Sequence, residues 1–461
     1  MLNTHAFLAG YFYTKESHLA ADPTDASEQY NLGEMYRLEA NRLEANVPQD
    51  FTEAMKWYRL AADQGYADAQ HTLGVGYELG LGVPQDSTEA VKWFRLAAAQ
   101  GDIDAQVLLG AMYGNGTGVP QDFTEAEKWF RLAAAQGVAE AQSNLGVMYS
   151  NGEGVPQDFT EAEKWFRLAA AQGNADAQVL LGVMYYFGEG VPKDYAEAEK
   201  WYRLAAARGV ATAQYNLGQM YDNGTGVPVD KAEAEKWYRL AAAQGDADAQ
   251  HNLGVMHETG AGVPQNKTEA VMWYRLAAAQ GYALAQFNLG LMYANGTGVP
   301  QDNTEAVKWY LLSAAQGYAL AQVLLGVMYE HGTGVPKDYA EAEKWYRLAA
   351  ARGVATAQYN LGYAYVSGRG VPQDFTEAVK WFRLAAAQGL ALAQFNLGLM
   401  YARGTGVPED YVQAYKWWNL AAAAGDAKAK NYKGNVAEKM TKEQIAEAQR
   451  LSTAFTPTKT P

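Results

Sequence analysis

Tryptophan returns at positions 57, 93, 129, 165, 201, 237, 273, 309, 345, 381 and 417, a constant step of 36 residues. Of the 12 tryptophans, only Trp418 stands outside the series. A period of this length marks a stacked array, in which each unit is too small to close its own core and buries its apolar face on its neighbours. The 461 residues therefore count repeats rather than independent domains.

Each period reads as two helices. In "ALAQFNLGLMYANG", from Ala283, the apolar residues Ala285, Leu289, Met292 and Tyr293 fall at helical spacing, and GxGVP stops the helix. Asp302 with Glu305 then predicts a D-x-x-E variant of the capping box, each side chain accepting a backbone N–H. The second helix, "EAVKWYLLSAAQG", puts Ala306, Trp309 and Tyr310 on one apolar face and ends at Gly317. A Leu-Gly pair recurs from Leu73-Gly74 to Leu397-Gly398 inside the first helix. There glycine costs about 1 kcal/mol relative to alanine, so a neighbouring helix is expected to cross too closely for a Cβ.

The phrase GxGVPxD could pass for an active-site loop, but it is used once per period and always joins helix to helix. Its glycines, proline and aspartate are turn and cap residues. The Glu, Lys and Arg around each Trp are the solvated face of the second helix, with i,i+4 pairs such as Glu127 and Arg131.

At 49% hydrophobic and 19% charged residues, the chain is too apolar for disorder, yet it has no apolar run long enough to span a bilayer. With no cysteine, disulfides and thiolate sites are excluded. Residues 426–461 hold seven Lys/Arg against four Asp/Glu, leaving residues 1–425 with 30 against 47. Such an acidic body repels nucleic acid phosphates and anionic lipid. The start, "MLNTHAFLAGYFYTK", has no Lys or Arg before its apolar stretch and is read as mature, cytoplasmic protein.

The consensus AxAQxxLGxMYxxGxGVPxDxxEAxKWYRLAAAQG resembles the Sel-one-like repeat family, relatives of the tetratricopeptide repeat. The resemblance implies an all-α, right-handed superhelical solenoid of about eleven antiparallel helix pairs, bacterial in origin, acting as a scaffold or adaptor. A cysteine-rich bacterial subgroup binds β-lactams, and the absence of cysteine here argues against that activity. The expected organisation is a capping helix within residues 1–26, repeats over 27–425, capping helices in 426–455 opened by a Thr441/Gln444 box, and a disordered tail at 456–461. The first repeat carries five extra residues in "YRLEANRLEANVP".

Function must then lie at positions that vary between repeats. By the same resemblance, the first helices line the concave face, reached by residues one and two before Leu and two and five after it. Immediately before Leu-Gly stands Asn at Asn31, Asn144, Asn216, Asn252, Asn288, Asn360 and Asn396, but Leu at Leu108, Leu180 and Leu324 and Thr at Thr72. Two before it stand the aromatics Tyr30, Tyr215, Phe287, Tyr359 and Phe395. Such a ladder can bond the backbone of an extended peptide while the rings take its apolar side chains. The same asparagines equally suit local capping.

The six histidines are scattered, and His251 with His257 is poorly spaced for a metal. The sequons at Asn115, Asn223, Asn266 and Asn295 fall in turns or caps. These features point to a protein or peptide partner, with no cofactor, metal, nucleic acid or membrane insertion. A β-lactam-directed enzyme and a solenoid self-assembling through its ends are the alternatives. The 28-residue string "VPKDYAEAEKWYRLAAARGVATAQYNLG" occurs at Val191 and again at Val335, so similarity between repeats partly reflects copying.

Overall fold

The computed structural model describes residues 24–38 and 50–458. The capping helix expected within residues 1–26 and the insertion of the first repeat lie outside the described residues. All 24 elements among the described residues are α-helices. Eleven first helices alternate with eleven second helices, from Ala26–Leu38 and Phe51–Asp63 to Ala391–Arg403 and Tyr411–Ala423, followed by Ala427–Ala437 and Lys442–Thr453. Two compact units are present, residues 1–229 and 230–461. Each is a stack of such pairs, with core alanine, leucine and aromatic side chains from neighbouring pairs in contact.

Within a pair the helices run antiparallel, because the turn folds the start of the second back onto the end of the first. In the third pair the N–H of Asp122 donates to the Tyr113 carbonyl at 2.9 Å. Asp122 then caps the second helix, accepting from the N–H groups of Thr124 and Glu125 at 3.0 and 3.1 Å. A cap of this kind contributes about 1 kcal/mol. The expected reciprocal bond is missing: the glutamate at the third helical position reaches the next lysine instead, as Glu53 does to Lys56 at 2.6 Å. Among the described residues only Thr441 and Gln444 close a full capping box.

The two kinds of glycine have different reasons. Gly110, of a Leu-Gly pair, is helical, and a Cβ there would stand 2.6 Å from the Phe130 ring of its paired helix. The close neighbour is thus an aromatic side chain rather than a helix backbone, and Phe130 belongs to a series that runs one residue behind the tryptophans. Trp418 falls in this ring series, beneath Gly398, which explains its absence from the other. Gly118, second in GxG, has φ +70°, and a Cβ on it would collide with the Ser87 carbonyl of the preceding repeat.

Two polar connections recur between neighbouring repeats. The buried Gln106 donates to the Ala98 carbonyl at 3.2 Å and accepts from Gln136 at 2.9 Å, and this arrangement recurs with Gln142 and Gln172 and with Gln250 and Gln280. On the opposite edge an arginine of one second helix donates to a tyrosine hydroxyl of the next first helix: Arg131 to Tyr149 at 2.8 Å, Arg275 to Tyr293 at 2.9 Å, Arg383 to Tyr401 at 2.7 Å.

After the eleventh pair, Ala429, Val436 and Ala448 of the last two helices are buried against Tyr415, Trp418 and Ala421. Residues 456–458, expected to belong to a disordered tail, instead lie against the tenth repeat, with the Thr458 N–H donating to the Ala387 carbonyl at 2.9 Å. Residues 459–461 lie outside the described residues.

Candidate first-helix interaction face

The first helices all run 13 residues over most of the chain, from Ala67–Leu79 to Ala391–Arg403, so residues at one offset from Leu-Gly repeat in equivalent places. Alanine, glutamine, leucine and methionine face inward: Ala141, Gln142, Leu145 and Met148 are all buried. The residue before Leu-Gly and those two and five after it lie beyond this buried stripe and are the ones available to a partner.

The aromatics two before Leu-Gly serve packing. Phe287 is buried at 8% exposure, between Tyr310 and Tyr318 with ring centroids at 5.9 and 4.8 Å. Tyr30 lies half-buried against Tyr58 and Tyr66, Tyr359 against Phe382, and Phe395 edge-on to Tyr432. Tyr215 is half-buried, its hydroxyl bonded to Gln219. A ring held between two others is not free to receive a peptide side chain, so this part of the expected site is corrected: Phe287 is core, and the other four are substantially committed to packing or local bonding.

The asparagines divide into two sets. Asn288 donates to Nε2 of His251 at 3.1 Å, and Nδ1 of His251 bonds Oδ1 of Asn252 at 3.3 Å. Burial holds His251 below the usual histidine range, which keeps it neutral, with the proton on Nδ1 donated to Asn252. Asn396 donates to the Tyr359 hydroxyl at 3.4 Å and to the Leu392 carbonyl at 3.1 Å. These asparagines bond within and between repeats. Asn144, Asn216 and Asn360 are half-buried, and among the described residues their side chains have no hydrogen-bond partner. Asn31 is exposed.

The residue 37 positions earlier separates the sets: His251 and Tyr359 precede the bonded Asn288 and Asn396, whereas Val107, Val179 and Val323 precede the unbonded Asn144, Asn216 and Asn360. Valine offers no polar atom, so the amide keeps its donor and acceptor. Asn144 borders a recess of about 210 Å³ with Gly114, Phe123, Val147 and Glu153. Asn360 borders another with Glu330, Tyr346, Ser367 and Arg369.

Acidic side chains complete this face. Glu258 and Glu330, five residues after Leu, accept the hydroxyls of Tyr274 and Tyr346 at 2.6 and 2.8 Å. Burial first, and the carboxylate second, push both tyrosines far above their ordinary range. No cluster of three His, Asp or Glu residues able to hold a metal occurs among the described residues. No described helix is long and apolar enough to cross a membrane.

Sequence reasoning missed the glutamine connection, although Gln before x-x-Leu-Gly in every repeat was its signal. Its constancy reads as framework without saying what the amide bonds.

The Sel1 repeat family model matches eleven consecutive segments, from residues 29–66 to 391–426. A search of curated proteins finds no match. Among solved structures, the chain is similar to a protective antigen of uropathogenic Escherichia coli displaying an SLR fold, at 38% identity over 99% of this chain and 94% of that one, with a TM-score of 0.78. A Sel1 repeat protein from Oxalobacter formigenes is 35% identical over 53% of this chain and 96% of its own, with a TM-score of 0.47. With the family model over eleven segments and the 38% identical Escherichia coli structure in agreement with its repeat motif, the chain belongs to the Sel1 repeat family of α-helical solenoid proteins.

Proposed function

We propose that this protein is a non-enzymatic interaction scaffold that binds an extended segment of a partner protein along the face built by its first helices. The observation that carries this reading is the trio Asn144, Asn216 and Asn360, each an amide with unused donor and acceptor at the same position of its repeat. A backbone amide of an extended peptide presents the complementary pair. The recess beside Asn144 gives a side chain room, and Glu153 there and Glu330 beside Asn360 favour basic over acidic residues. Fold-level kinship supports scaffolding in general, and the particular face is argued from these residues alone.

The test captures partners with the wild type and with the triple variant Asn144→Leu, Asn216→Leu, Asn360→Leu, leucine being the residue that Leu108, Leu180 and Leu324 already place at this position. The variant should melt within a few degrees of wild type and lose at least about tenfold in affinity by calorimetry on the captured partner. A folded variant that binds unchanged would refute the asparagine reading, and one that unfolds would make these side chains structural.

A further inference from the structure

The second helices carry a surface of their own. One leucine per repeat, in the segment Arg-Leu-Ala-Ala-Ala or its variant Leu-Leu-Ser-Ala-Ala at 311–315, is about half exposed: Leu132 at 49%, Leu168 at 51%, Leu276 and Leu312 at 50%. Leu420, its counterpart in the last repeat, is more covered. It is covered by the chain itself. Phe455 stands edge-on to Trp417, with centroids 5.7 Å apart, and packs on the same core cluster as Leu420. Pro457 follows within 3.6 Å of where a Cβ on Gly389 would stand, and the Thr458 N–H bonds the Ala387 carbonyl. That carbonyl ends the helix Phe375–Ala387 and is one of those a helix terminus leaves without an internal partner.

The segment 455–458 thus bridges two repeats, its proline beside the glycine that follows one second helix and its aromatic ring on the Trp of the next. Every component of this seat except the occupant recurs. Ala135, Gln136 and Gly137 are exposed where Ala387, Gln388 and Gly389 are half-covered, and Trp165 and Leu168 follow them in the next repeat. Nothing lies within 4 Å of a Cβ position on Gly101, Gly137 or Gly281. Two junctions differ: at Gly173 and Gly317 the guanidinium groups of Arg208 and Arg352 lie where the Cβ would be.

From this internal example we propose that the open junctions of the second helices dock extended segments of a partner protein in which an aromatic residue is followed two positions later by proline. The ring buries against Trp and Leu, the proline arrives with its φ already set, and one backbone N–H answers the last carbonyl of the helix. Because the seat recurs at 36-residue steps, a partner with several such motifs gains from multivalency. This surface is separate from the first-helix face, and its test is independent of the asparagine trio.

The probe is a synthetic peptide with the sequence of residues 454–461, added to the full chain carrying labelled leucine methyl groups and followed by NMR. Methyl signals of Leu132, Leu168 and Leu312 should shift and saturate, those of Leu204 and Leu348 at the arginine-covered junctions should shift less, and a peptide with Phe and Pro both replaced by Ala should bind about tenfold more weakly. Leu168→Ser should abolish the response at its own junction while the other methyl shifts persist. Equal response to the Ala peptide would overturn the proposal. So would shifts confined to Leu420, which would mean that the seat serves only residues 455–458, exchanged in place or between two copies.

Discussion

Gln178 and Arg208 stand where other repeats pair two glutamines, and the substitution leaves Oε1 of Gln178 buried with nothing to accept. The same vacancy occurs at Gln322, thirty residues before Arg352. Both arginines lie in the duplicated 28-residue string, so the defect was copied with it. Arg208→Gln should restore the bond seen between Gln172 and Gln142 at 2.8 Å and stabilise by about 1 kcal/mol. Urea denaturation measures this; an unchanged or lower midpoint would show that the arginine has compensating contacts.

Removing a complete connection should do the opposite. Gln106→Leu takes one of two donors from the Ala98 carbonyl, which keeps the Gly101 N–H, and the acceptor from the Gln136 amide; it should cost about 2 kcal/mol, whereas Gln178→Leu breaks one bond rather than two and should cost about half as much. Hydrogen exchange of amides in the flanking helices reads both, since neighbouring repeats open locally.

The tryptophan series holds its place by shape. Every indole N–H from Trp57 to Trp417 in the series is buried without an acceptor among the described residues. Trp129→Phe therefore removes an unsatisfied donor along with some apolar area and should cost about 1 kcal/mol, while Trp129→Ala should cost about 3 kcal/mol or more. Lys308→Ala, which loses only an exposed pair with Glu305, should cost under about 0.5 kcal/mol. Three denaturation curves decide the order, and a Phe variant as unstable as the Ala variant would show that the N–H matters.

Alkaline pH should unfold this protein more readily than acid. Burial raises the hydroxyl pKa of Tyr58, Tyr202, Tyr274, Tyr310 and Tyr346 far above the ordinary range, while in the unfolded chain they ionise near pH 10. A folded pKa above the unfolded one gives stability that is complete below about pH 10 and is lost as pH rises towards the folded value. Each such tyrosine contributes up to about 1.4 kcal/mol per pH unit to that decline. Tyr310→Phe should make the decline shallower; denaturation at several pH values above about 10 checks it.

Asn288→Leu and Asn360→Leu should behave differently despite their equivalent places. The first strands Nε2 of the buried His251 and should cost about 1–2 kcal/mol; the second removes an unbonded amide and should stay within about 0.5 kcal/mol. Thermal melts of the two variants give the comparison.

That contrast shows where the sequence was legible. Helix pairs follow from Trp, Leu-Gly and GxGVP because each marks a local requirement, whether packing, close approach or a turn, that repetition makes visible eleven times over. The availability of an asparagine is not local: Asn288 and Asn360 read alike until His251 and Val323, one repeat earlier, are placed beside them. Phe287 misleads for the same reason, since an aromatic at its offset suits a groove until Tyr310 and Tyr318 are found on both sides of it. Side chains that cross between repeats answer to residues some 30 to 37 positions away, beyond the reach of helical periodicity.

The contact of Gly118 with the Ser87 carbonyl has a consequence for how such a chain grows. At this point the main chain of one repeat meets the main chain of the next, a contact that any side chain on residue 87 leaves in place. Repeats become interchangeable: a segment can be copied, as the 28-residue strings at Val191 and Val335 record, and the joint tolerates it even where a side chain such as Gln178 or Gln322 loses its partner. Length and surface can then diverge separately, the chain acquiring new faces by recombination while the joint between units stays the same.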